Sequence, residues 1–478
     1  MMHITLVVPP SGFQIDERVY PMLGVLKVAA VLVSAGHHVD VLDLSGKSAS
    51  SFGMAIYQHH YKHGKSEVYG ITVTMPQMPA AVQILADLRE QCPTSRVILG
   101  GSHVTLVNAA AKRGVVRSQV MLEEMTSRFD VVVAGDGERA VFDAIRENAP
   151  SLVDADRPGN VLFLTATDVA ESPWPARHLI DLNSYHCYVD GFPATSMIAQ
   201  LGCPFGCGFC GGRNSPTFRR VRLRPTDDVI NEMKHIATTF GYRAFMFLDD
   251  ELNVSKSYLE LLRAMKQAQI DLGQEWRLCG LLKSELFTQD QADLMYEAGF
   301  RKLLVGFESG DERILLNMKK GATVDDNTKA VEMAHRAGLK IKALMSIGHP
   351  GESAESISHT TEWLLAVKPD EFDVTVLTVY PGTPYHDEAV ETTPGVWTYT
   401  AKNGDRLHAK SINQLTDTPY YKGVPGQYQS YVWTDALSSQ DLVRLRDALE
   451  VDVRNALSIA WPKDAAALNY EHSMAQCR

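Results

Sequence analysis

The chain has 478 residues, which is too long for one ordinary core and predicts roughly two or three domains. Hydrophobic residues make up 45% of it and charged residues 22%, as is typical of globular proteins in water. The net charge of -11 argues against a basic surface that could hold a nucleic-acid backbone. We therefore expect no nucleic-acid partner.

No apolar stretch reaches the roughly 20 residues of a membrane span, and the N-terminus lacks the pattern of a signal peptide. The cysteine count is odd, at seven, and four of these residues share no spacing, which argues against a secreted disulfide framework. These four are Cys92, Cys187, Cys279 and Cys477. We predict a cytoplasmic protein without membrane association, in which a cluster of cysteines is more typical of a metal site.

Short apolar strands alternate with helices over residues 1–150. This alternation predicts a Rossmann-like parallel sheet with helices on both faces. The predicted strands cover 3–8, 38–44, 67–74, 96–101 and 130–135, and the predicted helices cover 21–36, 80–91 and 138–147.

Three strand ends in this first domain carry glycine or hydroxyl residues, and ligands of such sheets bind at the carboxyl ends of the strands. Paired glycines let the backbone approach a ligand, and the helix that follows can direct its first N–H groups at an anion. Each end alone is better explained by an ordinary tight turn, but the three together modestly favour a ligand site. The candidate residues are Thr72, Thr74, Gly100, Gly101, His103, Gly135, Gly137 and Glu138.

Residues 151–193 carry two prolines and are predicted to connect two domains. Six strands with five helices between them follow over residues 194–385, which indicates a partial (β/α)6 barrel. The predicted strands cover 194–202, 244–250, 275–282, 302–309, 340–348 and 371–382, and the predicted helices cover 226–240, 255–268, 289–298, 325–337 and 354–367.

The regular pattern fades after the barrel, and residues 386–478 are predicted to form a small, mainly helical C-terminal extension. Its last helix is expected at about 438–457. An aromatic cluster in this extension either packs on the barrel or forms a lid over the substrate. The cluster consists of Tyr420, Tyr421, Tyr428, Tyr431 and Trp433.

The segment "CPFGCGFC" contains Cys203, Cys207 and Cys210. Spacings this short place three thiolates on one loop around a single metal centre, and the glycines between and beside them let the loop wrap closely. A closed zinc site takes four protein ligands, and no fourth cysteine or histidine is nearby in sequence. Three thiolates on an iron–sulfur cube leave one iron open for a substrate or cofactor. We favour that cluster, with zinc and plain structural thiols as the alternatives.

This cysteine spacing, with Phe209 before the last cysteine, resembles the signature of the radical S-adenosylmethionine (SAM) superfamily. The segments "LDDE" (248–251), "LLVGFESGDE" (303–312), "SIGHPGES" (346–353) and "YPGTP" (380–384) resemble strand ends of that superfamily's barrel. The resemblance implies that the three cysteines hold a [4Fe-4S] cluster whose open iron chelates the amino and carboxyl groups of SAM.

The same resemblance implies that Glu308 and Ser309 contact SAM and that the backbone of Gly211 and Gly212 approaches it closely. It places Asp249 and Asp250 at either the SAM amino group or the substrate. For both carboxylates the alternative is a helix-capping or solvent-facing acid.

The first domain resembles the cobalamin-binding domain of one large radical SAM class, with "GGSHVT" (100–105) and "AGDGE" (134–138) among the similar segments. This resemblance implies cobalamin as a third cofactor, held by the candidate residues of that domain. No Asp-x-His-x-x-Gly motif occurs, so the usual histidine ligand to cobalt is missing, as is frequent in that class.

Together these resemblances imply an enzyme that cleaves SAM to a 5′-deoxyadenosyl radical, which abstracts hydrogen from an unactivated carbon. Cobalamin-dependent C-methylation of a small natural-product intermediate is expected to follow. The alternative is a radical SAM enzyme that dehydrates, epimerises or rearranges a sugar-like substrate, with or without cobalamin. Methylthiotransfer and a non-enzymatic cobalamin or redox sensor are less favoured. The implied partners are a small-molecule substrate and an electron donor such as flavodoxin or ferredoxin.

Overall fold

A computed structural model describes residues 1–11, 17–416 and 429–460. Three of the aromatic residues considered for a substrate lid, Tyr420, Tyr421 and Tyr428, lie outside the described residues. None of the described helices is both long and apolar enough to cross a membrane.

The first domain is built on a six-stranded sheet in the order β2-β1-β3-β4-β5-β6, in which every neighbouring pair is parallel. Its apolar side chains form two clusters, one on each face, which explains why the strands read as near-continuous hydrophobic runs. The strands are β1 His3–Val8, β2 His38–Asp43, β3 Val68–Thr72, β4 Arg96–Gly100, β5 Val131–Ala134 and β6 Leu152–Asp154.

Helices cover both faces of this sheet, so the predicted Rossmann-like architecture is confirmed. The sequence pattern indicated α1, α3 and α6 but missed the other three helices. Strand β6 lies inside the segment predicted to be a connector. The helices are α1 Leu23–Ser34, α2 Phe52–His63, α3 Met78–Gln91, α4 Ser102–Lys112, α5 Val116–Arg128 and α6 Gly137–Ala144.

The second sheet has seven strands in the order β15-β14-β13-β12-β11-β8-β7. Six of them are parallel and β7 is an antiparallel edge, so the predicted partial (β/α)6 barrel is confirmed. Two short strands outside this sheet, β9 and β10, pair antiparallel on either side of the cysteine segment. The strands are β7 Tyr188–Val189, β8 Phe192–Met197, β9 Gln200–Leu201, β10 Arg222–Leu223, β11 Ala244–Phe247, β12 Arg277–Leu282, β13 Phe300–Glu308, β14 Lys340–Ile347 and β15 Glu371–Val376.

The helices of the barrel part follow its strands, and five of them match the predicted helices to within a few residues. The helices that come after the first domain are α7 Ala166–Glu171, which precedes β7, and α8 Pro216–Arg219, α9 Thr226–Thr239, α10 Tyr258–Leu272, α11 Gln289–Glu297, α12 Glu312–Asn317, α13 Val324–Arg336, α14 Ala354–Val367 and α15 Pro384–Asp387.

The C-terminal extension contains a four-stranded antiparallel sheet before its helix, which the prediction of a mainly helical extension did not include. Segments such as "VWTYT" (396–400) combine aromatic and β-branched residues, which pack well on a pleated surface. The predicted last helix is present. The elements are β16 Val390–Thr393, β17 Val396–Thr400, β18 Arg406–Lys410, β19 Val432–Thr434 and α16 Ser439–Leu457.

The segment that follows the cysteines joins the first domain to the barrel. Arg222 Nη2 donates to Asp136 Oδ1 over 3.2 Å, and both side chains are largely buried. Ser215 Oγ donates to Asp156 Oδ1 over 2.7 Å. These buried polar contacts fix the cysteine segment against the first domain.

Candidate functional site

The cysteine loop lies between β9 and α8, beyond the carboxyl end of β8. Its first turn needs glycine at position 202, where φ is +86° and a Cβ atom would lie 2.1 Å from the carbonyl oxygen of Arg220. The Cys203 N–H donates to the Phe218 carbonyl over 2.8 Å. The Gly208 N–H donates to the Met318 carbonyl over 2.7 Å. Backbone hydrogen bonds from separate parts of the barrel therefore hold the loop.

The three thiols differ in exposure: Cys207 is buried, Cys203 is half-buried and Cys210 is exposed. Desolvation by the surrounding protein raises the pKa of all three, that of Cys203 to about 11. Such thiols become ligands when the positive charge of a metal displaces their protons. Of the other cysteines in the described ranges, Cys187 and Cys279 belong to an apolar cluster and Cys92 contacts Tyr69, so none adds a fourth thiolate to the loop. This donor set fits an iron–sulfur cube with one open iron.

Glu308 ends the central barrel strand β13 with a left-handed backbone, φ +67°. Non-glycine residues adopt this conformation at a cost of about 1–2 kcal/mol, and such strain is frequent at functional sites. Its carboxylate accepts hydrogen bonds from Lys320 Nζ at 3.3 Å and from Ser346 Oγ at 2.9 Å. A carboxylate has roughly four lone-pair positions, so acceptor capacity remains for a ligand.

Two buried lysines near the loop were missed by sequence reasoning. Burial alone would lower the pKa of Lys320, but the charges of Glu308, Cys207 and Glu251 raise it above its ordinary value. Lys283 Nζ lies 4.4 Å from the ring centre of Phe205, inside the cysteine loop, and donates to the Lys320 carbonyl over 2.8 Å. These cations offset the negative charge of thiolates and carboxylates. The signal was "MKK" (318–320), but nothing in the sequence shows which lysine points inward.

His349 lies between Ser346, which contacts Glu308, and Phe209 in the cysteine loop. It was not predicted from the sequence as a site residue. Its Nε2 lies 2.8 Å from Ser346 Oγ, and its ring meets Phe209 edge-on with centroids 5.3 Å apart. Burial lowers the pKa of His349 to about 3, and the charge of Lys320 adds to this, so the imidazole is neutral. A neutral imidazole can accept a hydrogen bond at one nitrogen and donate at the other.

Two predicted SAM contacts have other protein partners. Asp249 accepts from the backbone N–H of Ala199 over 3.1 Å and of Gln200 over 2.5 Å, which ties the end of β11 to the segment after β8. Ser309 Oγ lies 3.2 Å from Thr360 Oγ1 on α14 and accepts from the Asp311 N–H. Asp250 is exposed, and its charge helps to raise the pKa of Cys203. The charge of Glu251, which was not predicted from the sequence as a site residue, contributes to the same rise in the pKa of Cys203.

The glycines after the cysteines lie in close contacts. At Gly212, φ is +92° and a Cβ atom would lie 2.5 Å from Cβ of Phe218. A Cβ atom on Gly211 would lie 3.1 Å from Leu106 on α4 of the first domain. The cysteine loop and the first domain are thus in direct contact.

A cavity of about 300 Å³ runs along one face of the first-domain sheet. Six of the eight residues predicted to bind a ligand in this domain line it: Thr72, Gly100, Gly101, Gly135, Gly137 and Glu138. Its far wall comes from the barrel side and includes Leu201 and Phe218, which flank the cysteine loop. Burial raises the pKa of Glu138, and the charge of Asp136 adds to the effect. The cavity is mainly apolar, and its lining also includes charged side chains such as Lys27 and Arg224.

Thr74 and His103 do not line this cavity. Thr74 caps a short turn, where its Oγ1 lies 3.0 Å from Gln77 Oε1. His103 is buried in the first turn of α4, and within the described residues neither of its ring nitrogens has a hydrogen-bond partner. Burial lowers the pKa of His103 to about 3, with a contribution from His386 of the barrel part. Its neutral imidazole therefore lies near the junction of the two domains with unused hydrogen-bonding capacity.

The sequence profile of the Radical SAM superfamily matches residues 197–364, which includes the cysteine loop and Glu308. Residues 197–364 form a radical SAM domain. This confirms the family predicted from the cysteine spacing.

The chain is also similar to other proteins over most of its length. An uncharacterised methyltransferase of Pyrococcus horikoshii is 27% identical over 416 residues, which cover 82% of this chain and 83% of that protein. The radical SAM methyltransferase TsrM from Kitasatospora setae, solved with cobalamin and a [4Fe-4S] cluster bound, aligns with a TM-score of 0.66 at 18% identity over 97% of this chain and 91% of its own.

A second solved structure is the cobalamin-dependent SAM radical enzyme OxsB with aqua-cobalamin and SAM bound. It aligns with a TM-score of 0.59 at 15% identity, over 81% of this chain and 54% of its own. At these identities the likeness shows the fold, which places a radical SAM domain after a Rossmann-like domain. The three cofactors predicted from the sequence are the ones bound in these two proteins of the same fold.

Proposed function

We propose that this chain is a cobalamin-dependent radical SAM enzyme that C-methylates a small-molecule substrate. The observation that carries the proposal is the contact between the cysteine loop and the first-domain cavity: Gly211 packs on Leu106, and residues on both sides of the loop line the cavity. One site can therefore use chemistry from both domains. The methyltransferase names of the P. horikoshii relative and of TsrM support this assignment.

Cys203, Cys207 and Cys210 would hold the cluster, with the open iron facing SAM. When bound, the cluster would supply an electron for SAM cleavage and cobalamin would supply the centre for methyl transfer. Lys320 and Lys283 would balance the charge of the thiolate-bound cluster, and their burial makes that interaction stronger than it would be in water. The glycines beside the cysteines would let SAM approach the backbone.

Glu308 would orient SAM by accepting a hydrogen bond from it. Lys320 and Ser346 hold its carboxylate from two sides, so the side chain is positioned before the ligand arrives. His349 would keep Ser346 in place through its Nε2 atom. The barrel walls around these residues are apolar and would exclude water from the radical.

The first-domain cavity fits part of a cobalamin. Gly100 leaves space on its wall, and the apolar strand residues around it suit a flat, uncharged group. The imidazole of His103, with both nitrogens unpaired in the described part of the chain, would offer a hydrogen bond close to the domain junction.

Anaerobic reconstitution with iron, sulfide and hydroxocobalamin tests the proposal. We expect about four irons and one cobalamin per chain, measured by absorbance and by mass analysis. After reduction, SAM should yield both 5′-deoxyadenosine and S-adenosylhomocysteine. The first records cleavage to the radical and the second records loss of the methyl group. 5′-Deoxyadenosine alone, from protein that holds no cobalamin, would favour the non-methylating alternative. Bound zinc without sulfide would refute both.

Glu308→Gln is expected to weaken SAM binding by roughly 10- to 100-fold. The change removes a charged acceptor, which contributes about 1.5–3 kcal/mol, and leaves Lys320 buried without its carboxylate. Iron content should stay at the wild-type value, because Glu308 is not a cluster ligand in this proposal. Equilibrium binding of SAM to the reconstituted protein measures the effect.

Glu355→Gln is the matched control for this variant. Glu355 lies in the first turn of α14 and is exposed, so its replacement should leave SAM affinity unchanged. Equal affinities for SAM in the Glu308 variant and in the control would show that Glu308 does not contribute to SAM binding.

A further inference from the structure

Histidines are concentrated near the start of the chain. Six of the 16 histidines fall within residues 3–63: His3, His37, His38, His59, His60 and His63. The radical SAM chemistry uses none of them. They lie on β1, β2 and α2 or, for His37, directly before β2.

The strand register brings three potential metal ligands to one face of the sheet. In the parallel pair β1–β2, His3 lies opposite His38. Side chains two residues apart on a strand share a face, so Asp40 lies on the same side as His38. The ring centroids of His3 and His38 are 4.4 Å apart, and one ligand atom from each of the three residues lies within 4.8 Å of the others.

Asp40 is at the centre of this group. Its Oδ2 atom lies 2.6 Å from His3 Nε2 and 3.9 Å from His38 Nδ1. Its other oxygen, Oδ1, lies 3.1 Å from His63 Nδ1, in the last turn of α2. The Asp40 side chain is only 11% exposed, whereas that of His38 is 61% exposed. One carboxylate is therefore surrounded by three imidazoles at the edge of the domain.

We propose that His3, His38 and Asp40 bind a divalent transition-metal ion such as Zn²⁺. Imidazole nitrogen and carboxylate oxygen are ordinary zinc ligands, and two histidines with one carboxylate form a known ligand set. Ligand atoms around tetrahedral zinc lie about 3.3 Å apart, given bonds of about 2.0–2.1 Å. On metal binding, His3 Nε2 and Asp40 Oδ2 would move apart from their hydrogen-bond distance of 2.6 Å, and the exposed ring of His38 would rotate towards them. A fourth position stays open to water.

His63 supports this site from outside the ligand set. It contacts the Asp40 oxygen that does not face His3, which is the way in which outer partners orient ligating carboxylates. His59, one turn earlier on α2, stacks on His63 with ring centroids 4.6 Å apart. Burial lowers the pKa of His59 to about 4, so this neighbour adds no positive charge beside the bound cation.

The site lies at the amino end of β1, on the other face of the sheet from the cofactor cavity. Ile4, the residue after His3, lines the cavity, and neighbouring side chains on a strand point to opposite faces of the sheet. A metal there would link β1 and β2 beneath α2 without touching the radical chemistry.

Zinc titration of the reconstituted enzyme tests the inference, because its cluster occupies the three cysteines that would otherwise bind zinc. A second preparation, with Cys203, Cys207 and Cys210 all replaced by alanine, reports zinc binding without any cluster. In both we expect one zinc per chain by metal analysis after desalting. We also expect a Tm that rises with zinc concentration, since the ligand binds the folded state.

His38→Ala should weaken zinc binding at least tenfold in both preparations, because it removes a ligand from an exposed position without opening the core. Asp40→Asn keeps the shape of the side chain and should have a similar effect. His178→Ala, an exposed histidine outside the cluster, is the control and should bind zinc as the wild type does. Absence of zinc in the wild type, or equal zinc affinity in wild type and His38→Ala, would overturn the proposal. SAM cleavage by His38→Ala should be unchanged, so this result is independent of the proposed enzyme function.

Discussion

Replacement of Cys207 by alanine is expected to abolish SAM cleavage. Cys207 is the middle and most buried of the three loop cysteines, and two thiolates cannot hold a cube that needs three. Iron content should fall from about four atoms per chain to below one. The rate of 5′-deoxyadenosine formation should fall at least 1,000-fold, which corresponds to an increase of about 4 kcal/mol in the activation free energy. Iron analysis and product quantification after anaerobic reconstitution measure both effects.

Cys279→Ala is the matched control for this prediction. Cys279 lies on β12 of the same barrel and is fully buried in an apolar cluster, so the change removes a thiol of comparable burial. The control should keep its iron and its cleavage activity, with a modest loss of stability from the small cavity left behind. Wild-type iron and product yield in the Cys207 variant would refute the assignment of the loop as the cluster site.

Gly100→Leu is expected to reduce bound cobalamin by roughly 10- to 100-fold. Gly100 ends β4 and lines the first-domain cavity, on the same face as Ile98. A Cβ atom there would lie 3.8 Å from both the Cβ atom and the carbonyl oxygen of Val133, which are ordinary contacts, and we expect a longer side chain to extend into the cavity. Overfilling a packed site costs about 1–3 kcal/mol, which corresponds to this loss of affinity. The absorbance of bound cobalamin after gel filtration measures it.

Gly100→Ala separates filling of the cavity from loss of the glycine itself. Its single methyl group fits at the same contact distance, so cobalamin binding should be close to that of the wild type. Iron content should be normal in both variants because the cysteine loop is unchanged. Full cobalamin occupancy in Gly100→Leu would show that the cofactor is held outside this cavity.

Most of the fold follows from hydrophobic patterning, because parallel strands buried on both faces give continuous apolar runs. The barrel helices were predicted to within a few residues for the same reason, since each alternates an apolar face with a charged one. The sheet of the extension was missed because its strands are only three to five residues long, although Pro394-Gly395 and Asn403-Gly404 mark two of its hairpin turns. Helix α5, whose sequence "VRSQVMLEEMTSR" has a narrow apolar stripe, was missed because few of its residues are buried.

The residues of the candidate site were likewise predicted only in part from the sequence. Local spacing identified the cysteines, and glycine pairs identified part of the cavity wall, because both signals lie within a few residues of the chain. The pairing of Glu308 with Lys320 and Ser346 depends on side-chain direction across separate strands, which no local pattern encodes. Ser309 and Asp249 follow strands as the prediction requires, yet their polar atoms meet α14 and the segment after β8.

The contacts made by residues 212–222 have a mechanical consequence. Asn214 accepts a hydrogen bond from Arg113, Ser215 donates one to Asp156, and Arg222 pairs with Asp136, so three anchors tie the stretch after the cysteines to the first domain. Any hinge rotation between the two halves therefore pulls on the cysteine loop itself. The spacing between the cysteine loop and the first-domain cavity is therefore set by this stretch of 11 residues, and the two halves separate only if all three contacts break.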